Sequence, residues 1–106
     1  MIIYNVTVNV DYNVHDEWYE WMKTKHIPDV MDTGCFRDAR FSKIMAEEEG
    51  GKSYSIQYMA HSRGHLNKYL ENFAPALQEE HTKKYQGKFA AFRTLLEVQE
   101  EFIHEG

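Results

Sequence analysis

The strongest constraint on this chain sits at its start. From Ile2 to Val10 the residues alternate without a break: Ile2, Tyr4, Val6, Val8 and Val10 form one row, and Ile3, Asn5, Thr7 and Asn9 the other. Successive side chains of an extended chain point to opposite faces, so this is a strand with one apolar face and one largely polar face. Such a strand cannot stand alone. Its backbone needs neighbouring strands, and its apolar row needs a covering layer.

The rest of the chain supplies both. Asp11 to Asn13 reads as a turn, and Val14, Trp18, Trp21, Met22, Val30 and Met31 then recur at helical spacing. A helix is predicted over about 14–31, with Asn13 as N-cap and Asp16 and Glu17 at the positive end of its dipole. Pro28 lacks an amide hydrogen and is expected to bend or break that helix near His26, and Gly34 to end it. Residues 36–46 read as a second strand and Glu49-Gly50-Gly51 as a hairpin turn. In a third strand Tyr54, Ile56, Tyr58 and Ala60 face the core, opposite Ser55, Gln57 and Met59. Ser62 caps a second helix with an apolar stripe of Leu66, Tyr69, Leu70, Phe73 and Leu77, extended by His81, and Pro75 predicts a kink or two shorter helices. After Gly87, residues 89–98 form a fourth strand. It is read with Ala90, Phe92, Thr94, Leu96 and Val98 toward the helices and Arg93 and Glu97 on the open face.

Strand, helix, strand, strand, helix, strand is the split βαβ order of a ferredoxin-like α+β domain. Right-handed crossovers place both helices on one face of a four-stranded antiparallel sheet. The expected strand order is 4-1-3-2, in one domain over residues 1–106 with a loose tail after about 100. At 106 residues one core is feasible without staples. The 42% hydrophobic and 27% charged shares exclude a disordered chain. The net charge of −5, with no basic stripe, argues against nucleic acid and anionic membrane as partners. The acidic run Glu47-Glu48-Glu49 reads as a solvated turn. No run is long enough to span a bilayer, and Asn5, Thr7 and Asn9 interrupt anything like a secretory signal. Cys35 is the only cysteine, so an internal disulfide and a thiolate zinc cage are excluded, and a reducing, cytoplasmic setting fits best.

The open face of the sheet is the first candidate site. It either meets water or is covered by a second copy of the chain. Polar groups held between two sheets must find partners, so Asn5, Thr7, Asn9, Ser55, Gln57 and Arg93 would then form a small-ligand site. The apolar share of that face, with Ile3, Met59 and Leu95, predicts a homodimer, which would also protect exposed strand edges.

The segments MIIYNVTVNVD, WYEWMKTKHIPDVMDTG, YSIQY and GKFAAFRTLLEV resemble, in order and over nearly the whole chain, the bacterial domain-of-unknown-function family 4286. More distantly, the architecture is similar to the dimeric α/β-barrel superfamily, whose members pair two ferredoxin-like sheets face to face. Many of them hold ligands between sheet and helices. His26-Ile27-Pro28 resembles the His-x-Pro element of several such families. The resemblance implies a range from cofactor-free monooxygenases, haem-degrading enzymes and isomerases to plain ligand binders, and fold analogy does not choose among them.

His26 is the candidate catalytic residue: a general base, with Asp29 one turn on to orient it. The plainer reading is a histidine at a helix end, answering the dipole. His61 and His65 have the spacing of a metal pair but no third ligand, so no metal is expected. His81 could ligate haem by analogy, yet it packs more naturally beside Leu77 and Tyr85, and no cofactor is expected. Trp18 and Trp21 read as core, and Cys35 has no activating cation. Three functions remain: a module binding a small metabolite in a cleft at the open face of a homodimer, a cofactor-independent monooxygenase or isomerase using His26, and a structural dimer module. Either of the first two predicts that His26 faces a cleft shared with Asn5, Asn9, Gln57 or Arg93.

Overall fold

The fold is that of a computed structural model, which describes residues 1–46 and 49–106. Glu47 and Glu48 of the acidic run lie outside the described residues. β1 (Ile2–Asp11) lies inside the sheet, with β3 (Gly51–Ala60) on one side and β4 (Phe89–Glu97) on the other; β2 (Asp38–Lys43) flanks β3. All pairings are antiparallel and the order is β2-β3-β1-β4, the predicted order read from the other edge. Both central strands turn their apolar rows to the helices: Tyr4, Val8, Val10, Tyr54, Ile56 and Tyr58 are all buried.

The covering layer has two arms. The first begins with a 3-10 turn (Tyr12–Val14) and continues through α1 (His15–Trp21), a π turn (Met22–His26) and α2 (Ile27–Asp32). The second is α3 (Arg63–Asn72) followed by α4 (Ala74–Lys84), divided at Phe73 just ahead of Pro75, as the proline predicted. Ser62 caps α3, its hydroxyl accepting from the His65 amide at 3.2 Å. Trp18, Val30 and Leu66 are wholly or almost wholly buried and join the arms to the sheet.

Pro28 interrupts the regular α-helix near His26, as expected, without ending the first arm. It enters α2 in its first turn, behind a π turn in which the Ile27 amide reaches back to the Met22 carbonyl. Widening the helix ahead of the proline eases the clash between its ring and the preceding turn. Three other expectations need correction. Asn13 does not cap α1, which begins instead from the 3-10 turn. Gly51 is not a turn residue but the first residue of β3, opposite Asp11, and Gly50, at φ +83, makes the turn. Finally, β4 is flipped by one residue. Val10, Val8, Val6 and Tyr4 lie opposite Phe89, Ala91, Arg93 and Leu95, so those four face the helices with Glu97 beyond them. Ala90, Phe92, Thr94 and Leu96 lie on the open face. A shift of one residue moves every side chain of a strand to the other face.

Candidate ligand pocket

The flip of β4 brings Arg93 to the space between sheet and helices, and with it a set of polar groups that sequence spacing could not assemble. The pocket is walled by β1, β3 and β4 on one side and by the π turn and α4 on the other. Its polar lining comes from Tyr4, His26, Gln78, His81, Thr82 and Arg93, on an apolar floor that includes Val6, Val8 and Ile56. Water molecules have about 40 Å³ of room for their centres inside it, several times the ~10–15 Å³ that one requires.

His26 closes the π turn, half-buried against Trp21 and His81 at ring-centroid distances of 5.2 and 5.6 Å. Its Nδ1 is buried and has no hydrogen-bond partner. Burial pushes its pKa down to about 4, with Asp29 pulling the other way and Lys25 and Arg93 adding to the fall. Asp29 does not orient the ring: its carboxylate takes the ammonium of Lys25. His81 meets the Trp18 indole, whose Nε1–H donates to Nε2 at 2.9 Å. That bond places the His81 proton on Nδ1 and occupies the nitrogen that a haem iron would need. Burial first, then His26 and Arg93, push the His81 pKa down to about 4 as well. Both imidazoles are therefore neutral at neutral pH.

Arg93 donates from Nε to the Tyr4 hydroxyl at 3.0 Å, and Gln78 approaches the same oxygen at 3.5 Å. With donors on its oxygen, Tyr4 is left with its own hydrogen to give. Arg93 has no carboxylate partner among the described residues. The result is a cation, a phenol donor and two neutral imidazoles around one cavity, which suits an oxyanion.

Of the candidate site residues read from sequence, His26 and Arg93 share this pocket, and His81, weighed there as a haem ligand, joins them. Asn5, Thr7, Asn9, Ser55 and Gln57 lie together on the opposite face of the sheet. There Asn5 donates to Thr7 at 3.1 Å and accepts from Ser55 at 2.6 Å, and Asn9 donates to Ser53 at 3.0 Å. Tyr4, Gln78 and Thr82 were missed. The available signal was faint: a tyrosine in an otherwise aliphatic row, and polar residues at one-turn spacing beside an apolar stripe. His65 is held by Ser62, and among the described residues no three metal-binding side chains come together.

The order of elements, the antiparallel sheet and helices on one of its faces define a ferredoxin-like α+β protein. The family is equally plain: a model described as a domain of unknown function, DUF4286, matches residues 1–99, and the chain belongs to that family. A comparison with curated proteins found no match. Among solved structures it is similar to a dimeric ferredoxin-like protein from an uncultured marine organism, with 14% identity and a TM-score of 0.70 over 98% of this chain and 100% of that one. It is similar to HapK from Hahella chejuensis, with 9% identity and a TM-score of 0.72 over the whole of both chains. A mutant of SnoaB, a cofactor-independent oxygenase from Streptomyces nogalater, matches at 11% identity and a TM-score of 0.68 over 97% of this chain and 98% of that one. At these identities the likeness is one of fold.

Proposed function

We propose that this protein binds a small organic acid, or an enol that becomes an anion in place, in the pocket between its helices and sheet, and that it works as a homodimer. One observation carries the reading: on a single cavity, and among the described residues, Arg93 has no carboxylate partner and His26 keeps a buried Nδ1 with nothing bound to it. A buried nitrogen without a partner is one that a ligand can complete, and Arg93, bonded to Tyr4 and open on its other side, supplies the charge beside it. Arg93 and the Tyr4 hydroxyl would receive the oxyanion, and His26 would hold or take the proton. The pocket under the helices thus replaces the open face as the favoured ligand site. The open face serves the dimer instead, with Phe92 63% and Leu96 42% exposed beside Ile3 and Met59. The acidic net charge speaks against nucleic acid, and the free thiol of Cys35 suits the cytoplasm.

The test is native mass spectrometry of freshly purified protein, together with nuclear magnetic resonance (NMR) titration using acetylacetone, a small enol. Retained mass or shifts around His26 and Arg93, lost in Arg93→Met, are expected. No retained mass and no shifts would refute the reading.

A catalytic reading is favoured by the same neutral His26. A base that weak strengthens when an anion forms beside it, because the new charge favours imidazolium. His26 would remove a proton from the bound substrate, Arg93 and Tyr4 would hold the enolate, and the proton would return to a different carbon, an isomerisation, or molecular oxygen would enter as co-substrate. Turnover or oxygen uptake that survives His26→Phe would end this second reading.

A further inference from the structure

A second cleft, sharing no residue with the first pocket, opens toward the β2 edge of the sheet. We propose that it is a separate binding site for a planar aromatic carboxylate. It is lined by His15, Tyr19, Phe41, Lys43 and Tyr54 and offers about 360 Å³ of open volume, enough for a substituted single ring.

Four of the five lining residues are rings, and they are ordered as platforms. Tyr19 and Phe41 stack at 5.2 Å with their planes 26° apart, and His15 and Tyr54 at 5.6 Å and 19°. Phe41 and Tyr54 link the two stacks at 5.1 Å. Tyr19 and Phe41 remain only half-buried, so a planar guest would cover apolar ring surface that the fold leaves open.

The charge comes from Lys43. It lies opposite Tyr54 in the β2–β3 pairing, and so on the helix-facing row that otherwise reads Ala39 and Phe41. A cation in that row has no ion-pair partner among the described residues, whereas nearby Lys23, over the Tyr19 ring, is already beside Glu20 at 3.6 Å. An ammonium with no ion-pair partner among the described residues, at the lip of an aromatic cleft, selects a guest that is flat and negative.

A hydrogen-bonded chain fixes the back of the cleft. His15 Nδ1 is 2.8 Å from the Asp16 carboxylate, and Nε2 is 2.6 Å from the Tyr54 hydroxyl. In the neutral imidazole, the carboxylate takes the Nδ1 hydrogen, and Nε2 then accepts the hydrogen of Tyr54. The Tyr54 oxygen, its proton committed, then has only lone pairs to offer. A guest bearing a hydroxyl opposite its carboxylate would satisfy both ends, Lys43 holding the carboxylate and Tyr54 accepting from the hydroxyl.

The experiment is amide NMR titration of the full chain with 4-hydroxybenzoate, against 4-hydroxybenzamide as the uncharged control. Shifts gathered on Tyr19, Phe41, Lys43 and Tyr54 are expected, with affinity at least about tenfold weaker for the amide and for Lys43→Met, the worth of one charge-assisted hydrogen bond. Lys43→Arg should retain binding. Phe41→Leu should weaken it while keeping the charge, and Arg93→Met should leave it unchanged. Equal binding of acid and amide, undiminished binding by Lys43→Met, shifts confined to the Arg93 pocket, or no shifts at millimolar probe would each overturn the proposal.

Discussion

His26 and Trp18 sit in the same aromatic cluster and are predicted to respond in opposite ways to the loss of nitrogen. The buried Nδ1 of His26 has no partner, and such an atom costs roughly 1–3 kcal/mol. His26→Phe keeps the ring against Trp21 and drops the nitrogens, so the thermal midpoint is expected to hold or rise while ligand retention is lost. A fall of more than about 1 kcal/mol would mark His26 as structural. Trp18 is fully buried and supplies the hydrogen that His81 Nε2 accepts. Trp18→Phe strands that nitrogen and opens a void, and should lower stability by about 1–3 kcal/mol in denaturant titration. The two histidines also predict a pH profile. Each has its pKa at about 4 in the fold against 6.5 unperturbed, so the unfolded chain takes up protons first as pH falls. The stability carried by the neutral pair is complete above 6.5 and is lost as pH falls from there through about 4, a change of roughly a few kcal/mol. Urea midpoints measured across that window should fall, and His26→Phe should flatten the slope.

Among the elements, the π turn and the start of β3 show backbone geometry deciding where side chains go. The π turn carries the first arm past Pro28 while keeping both Met22 and His26 on the pocket. At Gly51 the strands approach so closely that an added Cβ would lie 2.5 Å from the Val10 carbonyl oxygen. That neighbour is backbone and cannot rotate away. Gly51→Ala should therefore push β1 and β3 apart and cost about 1–3 kcal/mol, read as a lower unfolding midpoint. Ser62 acts at an exposed helix start, and Ser62→Ala should cost about 1 kcal/mol without touching either cleft. An unchanged midpoint in that variant would show that α3 does not depend on its cap.

For the whole molecule, the sheet is covered by helices on one face only, and the other face mixes Phe92, Leu96, Ile3 and Met59 with a hydrogen-bonded polar row. The tail beyond β4 adds Phe102, 92% exposed, and Ile103, 83% exposed. Apolar surface gathered on an uncovered sheet is the usual mark of an interface. Phe92→Lys is expected to convert the proposed dimer to monomer in sedimentation analysis. Phe92 does not line the Arg93 pocket, so acetylacetone shifts there should persist if each protomer carries a complete site. A wild-type chain that sediments only as monomer at micromolar concentration would remove the dimer from the proposal.

Much of the fold was legible because its signals are local. Alternation over residues 2–10 and 54–60 sets the buried face of β1 and β3, and apolar spacing with Pro75 sets the second arm and its division, since strand and helix periods are properties of neighbouring residues. β4 was not legible in the same way. Phe89, Ala91 and Leu95 on one row are matched by Ala90, Phe92 and Leu96 on the other, so the segment carries no parity of its own. Only pairing with β1 chose, by setting Arg93 opposite Val6. The pocket followed from that choice. His26 was visible as a residue, but its company was not: Trp18 and His81 are 63 residues apart, and Tyr4 and Arg93 are 89 apart. The sequence by itself determined the elements and the faces of the central strands, because those depend on local period. Which polar groups meet, and that Arg93 stands under the helices while the asparagines stand outside, was decided by long-range strand pairing in the tertiary structure.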